Sequence, residues 1–156
     1  MRLQWGQFEP STTASMTRVD FHTNVPDKLA YACRLVRKAS AANNRIVLLT
    51  DDAAQQQALD AQLWSFAPTE FLPHVAAGDA LAAQTPIILA CDDGAPLPHT
   101  DLLVNLSRRM PAGFERFNRV IEVVSAEETD AAAGRQRYKA YKQQDYQPTH
   151  FVANKS

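Results

Sequence analysis

Two short runs, RIVLLT at 45–50 and PIILAC at 86–91, are apolar at almost every position. A strand with one wet face alternates polar and apolar side chains. A strand without alternation needs cover on both faces, the situation at the centre of a parallel sheet packed between helices. These runs therefore demand layers, and the segments around them supply the material. VDFHT at 19–23 alternates Val19, Phe21 and Thr23 and predicts a strand. Pro26 then opens a helix where its missing N–H does no harm, with Leu29, Cys33, Val36 and Ala39 at helical spacing and Asn43 and Asn44 as its stop. Asp52, with Gln55 three residues on, predicts the capped start of a second helix carrying Ala58, Leu59, Gln62 and Leu63 and ending near Trp64.

The stretch WSFAPTEFLPHVAAGDA at 64–80 holds two prolines and a glycine and reads as loop with at most short structure. DLLVNLS at 101–107 and RVIEVVS at 119–125 complete the strands, with a short helix around Phe114 and Phe117 between them. Residues 126–144 read as a final helix and 145–156 as a tail. The order β-α-β-α-β-β-(short α)-β-α implies an α/β, Rossmann-like layered domain, with a mainly parallel central sheet flanked by helices. At 156 residues the chain suits one such domain, expected over 16–156. Residues 1–15, rich in Ser, Thr and Pro and followed by a second methionine, Met16, are expected to be an extension outside it. An arm that lays Trp5 and Phe8 on the surface is the alternative.

Several chemistries lack their residues. The glycines (Gly6, Gly78, Gly94, Gly113, Gly134) avoid the first strand–helix turn, TNVPDK, where a dinucleotide fingerprint would sit, and no GxxxxGK[ST] or GxSxG is present. Asp51 and Asp52 at a strand end suit helix capping better than ribose binding, and Asp92 and Asp93 precede a turn. The four histidines lack metal-site spacing. Cys33 and Cys91 form no CxxC and read as buried thiols. No apolar run approaches the roughly 20 residues of a membrane span. A reduced, cytoplasmic protein without metal or cofactor is expected.

The remaining signal is RQRYKAYK at 135–142, four cations and two tyrosines in a chain of net charge −1. At 100° per residue Arg135, Lys139 and Lys142 fall within about 60° of one another, with Tyr138 on the flank and Gly134 and Tyr141 beyond. Arg137 points nearly the opposite way and is expected in solvent. The acids Glu127, Glu128 and Asp130 precede the cations, an order the helix dipole favours by itself. Three readings fit: an exposed face with tyrosines packed beneath, a single-strand stacking surface, or a dock in which arginine grips a terminal carboxylate beside an apolar pocket.

With LLTDDAAQQQALDAQLW (48–64) and the loop motif LWSFAPTEFLPH (63–74), this helix resembles the chi subunit family of bacterial DNA polymerase III, from about Arg18 to Phe151. The resemblance implies a non-catalytic accessory subunit of the clamp-loader assembly that links it to single-stranded DNA-binding protein (SSB). It implies that the acidic SSB tail, ending in Phe, docks beside the last helix. Arg135 would meet the terminal carboxylate, Tyr138 and Val124 would form an apolar wall, and Lys139 and Lys142 would attract upstream acids. A basic residue found in some members one turn before the arginine is Ala131 here. The resemblance also assigns Trp64 and Phe71 to a surface for the psi subunit or, in some bacteria, a DNA-repair helicase. The competing expectations are a nucleotide-binding enzyme on the same fold and a direct single-strand binder.

Overall fold

The computed structural model describes residues 17–66, 72–91 and 97–153. Its strands are β1 (Arg18–Val25), β2 (Ile46–Leu49), β3 (His74–Ala76), β4 (Ile87–Ala90), β5 (Leu102–Asn105), β6 (Arg119–Ser125) and β7 (Thr149–Val152). Its helices are α1 (Lys28–Ala41), α2 (Ala53–Phe66) and α3 (Glu128–Gln143). The strands form one sheet in the order β3-β4-β2-β5-β6-β1-β7, and every neighbouring pair is parallel. The α/β layering expected from the apolar runs is present, and the sheet is wholly parallel.

The two runs are buried because each strand face has its own layer. Ile46, Leu48, Ile87 and Leu89 pack with Cys33 and Val36 of α1 and Leu59 and Leu63 of α2. Val47, Leu49 and Ile88 pack on the opposite face with Phe114, Phe117 and Tyr141. Each such fully buried aliphatic side chain stabilises the fold by about 1.5–3 kcal/mol. No described helix is long and apolar enough to cross a membrane.

The helix ends follow local chemistry, with one correction. Pro26 lies outside α1; Asp27 is the cap, and its carboxylate accepts the Ala30 N–H at 3.2 Å. Asn43 adopts φ 67° just past the helix, as a stop residue should. Asp52 accepts the Gln55 N–H at 2.8 Å, and the Gln55 side chain returns to the Asp51 N–H rather than to that of Asp52.

Two strands were absent from the sequence reading. The segment expected to be loop at 64–80 contains the last turn of α2 and β3, and the expected tail contains β7. Both are edge strands. β3 has three residues, and all four residues of β7 are exposed, so neither needs an apolar run. The short helix near Phe114 is a single 3-10 turn, with Phe114 and Phe117 buried. Cys33 is buried as expected, and burial pushes its thiol up to about 11. Cys91, expected to be buried, lies just past the end of β4 and is half-buried.

Arg137 is the clearest correction. It is not solvated; its guanidinium lies inside the molecule, with Nε donating to Glu122 Oε1 at 2.8 Å and Nη1 to the Arg108 carbonyl at 3.1 Å. The direction opposite the cationic stripe is the one that faces the sheet. Tyr141 donates to Glu122 Oε2 at 2.7 Å and Asn105 Nδ2 to Oε1 at 2.9 Å, so one buried carboxylate ties α3 to β5 and β6. Burial pushes the Glu122 carboxyl upward; Arg137, Tyr141 and Asn105 pull it back toward the anion. At the other end of α3, Asp130 accepts the Ser125 N–H at 2.7 Å and the Lys28 ammonium at 3.0 Å. Burial opposes the Asp130 charge, but these donors outweigh it and hold its carboxyl below the usual range.

Arg137→Met should cost about 3–5 kcal/mol, because it leaves the Glu122 charge buried and unpaired; urea unfolding measures it. The depressed Asp130 carboxyl contributes stability that is complete above its unfolded value. That contribution drains as pH falls below about 4, through the lower folded value. Melting temperatures against pH should show an acid-side decline that is shallower in Asp130→Asn, which should also be less stable at pH 7.

Candidate functional site

β1 and β6 run side by side until His22 and Val123, after which β1 contains one extra residue before the pairing resumes at Val25 and Ser125. Asn24 sits in this bulge with φ 59°, a conformation asparagine tolerates. Above the bulge, α3 crosses β6 at close range. Gly134 makes that approach possible: a Cβ there would lie 2.8 and 2.9 Å from the two Val124 methyls. Beside this contact opens a recess of about 660 Å³ at the carboxyl ends of β1 and β6.

Four of the five residues expected to form one site line this recess together: Val124, Arg135, Tyr138 and Lys139. The fifth, Lys142, stands 5.9 Å from the centre of the Tyr138 ring. Tyr138 is held from below by an edge contact with Phe21, centroids 5.2 Å apart. Ala131 also lines the recess. The recess is apolar below and cationic at its lip, and no acidic side chain lines it among the described residues. There, too, Arg135, Lys139 and Lys142 have no carboxylate partner. Their charge is available to something else.

The sequence reading missed the residues that complete the wall. Phe21 and Thr23 come from β1 and His150 from β7, with His150 Nε2 2.6 Å from Thr23 Oγ1. Phe21 was legible as a strand residue, but its side of the sheet depends on the pairing with β6. His150 had no signal, because its segment reads as tail.

A second crevice lies where parallel α/β folds usually hold ligands, beyond β2, β4 and β5. Among the described residues, the Arg109 guanidinium stands in it. Arg109 donates to the carbonyls of Asp51 at 3.0 Å and of Thr50 and Cys91 at 3.3 Å. Asp51 accepts the Arg108 N–H at 2.8 Å, and Asp52 is spent on its helix cap, so neither is free for a ribose. Asp92 and Asp93 lie outside the described residues.

Trp64, in the last turn of α2 and expected to end that helix, has 54% of its surface exposed. Its ring rests on His74, centroids 4.5 Å apart. Phe71 lies outside the described residues.

Fold and recess together define a parallel α/β domain that closes its usual ligand crevice with an arginine and opens a cation-rimmed apolar recess elsewhere. The family model described as DNA polymerase III chi subunit, HolC, matches residues 16–149. The chain is 37% identical over 136 residues to DNA polymerase III subunit chi of Pseudomonas aeruginosa, covering 84% of this chain and 93% of that protein. It is 29% identical over 115 residues to the chi subunit of Haemophilus influenzae, covering 74% and 80%. With that of Escherichia coli it shares 26% over 110 residues, covering 70% and 75%. This chain belongs to the DNA polymerase III chi subunit family, replication accessory subunits of that polymerase.

Gly134→Ala should drive α3 away from β6 and cost about 1–3 kcal/mol, the range for overpacking. Chemical denaturation of the variant checks this, and an unchanged midpoint would mean that the close approach is not required.

Proposed function

We propose that this chi-family protein is a non-catalytic adaptor that takes the acidic C-terminal tail of SSB into the recess beside α3. The observation that carries the reading is the coexistence of unpaired cations and an apolar floor in one 660 Å³ opening. A chain terminus ending in an aromatic residue needs both. Arg135 would grip the terminal carboxylate with two parallel hydrogen bonds, while Val124, Phe21 and Tyr138 receive the ring. Lys139 and Lys142 would draw in the acids upstream. With Ala131 at the rim, the site offers one contact fewer than relatives with a cation there.

The second surface is assigned to psi, through Trp64 and Phe71, with a DNA-repair helicase as the other occupant to test. An exposed tryptophan is the kind of side chain that anchors an interface. Residues 16–156 would act as the single binding unit, in the cytoplasm, with residues 1–15 outside it. The nucleotide-enzyme reading is disfavoured by Arg109 standing in the crevice it needs. Direct single-strand binding is disfavoured by a site with few rings on a chain of net charge −1.

Arg135→Ala should weaken SSB-tail binding by about 1.5–3 kcal/mol, the worth of a charged hydrogen bond, with the melting temperature unchanged. Titration calorimetry with a tail peptide measures this, and equal affinity would remove Arg135 from the site. Binding should also weaken as salt rises, because the cations are exposed.

A further inference from the structure

The residue beneath the exposed Trp64 ring is not apolar. His74, at the start of β3, has a fully buried side chain, and the two ring planes meet at 48°. Its Nδ1 lies 2.6 Å from the Leu72 carbonyl oxygen, an atom that only accepts, so Nδ1 carries a proton. Its Nε2 lies 3.1 Å from Asp60 Oδ1. A neutral ring would offer the nearby carboxylate no counter-charge. A second proton turns the same approach into attraction. Nε2 is not aligned for a hydrogen bond, so with that second proton the contact with Asp60 becomes an ion pair held by charge alone.

The geometry points to His74 as the positioning residue for Trp64, an imidazolium pinned between the Leu72 carbonyl and the Asp60 carboxylate. Asp60 and Trp64 are four residues apart on α2, so they stand on one face of it, one turn from each other. His74 reaches that face from β3 and meets both. The cation lies against the indole, an arrangement the ring quadrupole favours, and the exposed ring is kept in one orientation. A side chain ordered before the partner arrives loses less freedom on binding. This inference rests on the reading of Trp64 as part of the psi surface, and it adds His74 and Asp60, which touch no partner in that reading. It also gives LPH at 72–74 a physical role: Leu72 supplies the acceptor and His74 the charge.

The test uses the full chain with Trp5→Phe, which leaves Trp64 as the sole tryptophan. An imidazolium against an indole quenches its fluorescence. Emission should therefore rise in His74→Phe, which keeps a ring but no charge, and in Asp60→Asn, which removes the counter-charge. Asp60→Glu should stay near the parent. Purified psi should bind His74→Phe and Asp60→Asn about fivefold more weakly, the loss of one orienting ring contact, while SSB-tail binding stays unchanged. Asp60 is half-exposed, so Asp60→Asn decides the matter if His74→Phe fails to fold. Equal emission in every protein overturns the clamp. Undiminished psi affinity in both variants, with Trp64→Ala losing it, overturns the positioning role. Undiminished psi affinity in Trp64→Ala overturns the psi surface instead, and the emission series still decides the clamp.

Discussion

The ion pair between Glu122 and Arg137 fixes how α3 lies on the sheet. A carboxylate on a central strand is costly to bury, and here it is tolerated because three donors converge on it from β5 and α3. That convergence admits only one rotation of the helix. With Arg137 and Tyr141 turned inward, Gly134 must meet Val124, and Arg135, Lys139 and Lys142 must turn outward on the next edge. The exposed cations are thus a consequence of the buried one. Asp130 repeats the device at the start of the helix, where the Ser125 N–H and Lys28 hold it.

The strand ends divide into two regions with opposite fates. Beyond β2 and β4, the Arg109 guanidinium satisfies three carbonyls. Beyond β1 and β6, an open recess lies beside the bulge at Asn24 and the close contact of Gly134 with Val124. In a fold widely used for cofactors, the open concavity here lies three strands along the sheet from β2 and β4.

What the sequence disclosed follows from how much each element buries. The central strands were legible because both faces are covered, and the caps at Asp52 and Asn43 because their chemistry is local. β3 and β7 were not, since an edge strand has one neighbour and β7 exposes all its residues. The cationic edge of α3 could be drawn from helical spacing alone, and Arg135, Tyr138 and Lys139 do meet Val124 around one recess. Arg137 defeated the same method. Spacing gives relative directions on a helix, and only the partner Glu122, 15 residues away, says which direction is inward. Phe21 and His150 were hidden for the same reason, because strand pairing brings them to the site. Trp64 could be named from its motif, whereas its exposure and its seat on His74 needed the packing of α2 against β3.

The proposed role stands or falls on whether the recess takes a free chain end. Surface plasmon resonance with this protein immobilised, comparing intact SSB with SSB lacking its last few residues, asks that directly. The account predicts clear binding of the intact protein and none of the shortened one. Equal binding of the two would contradict it.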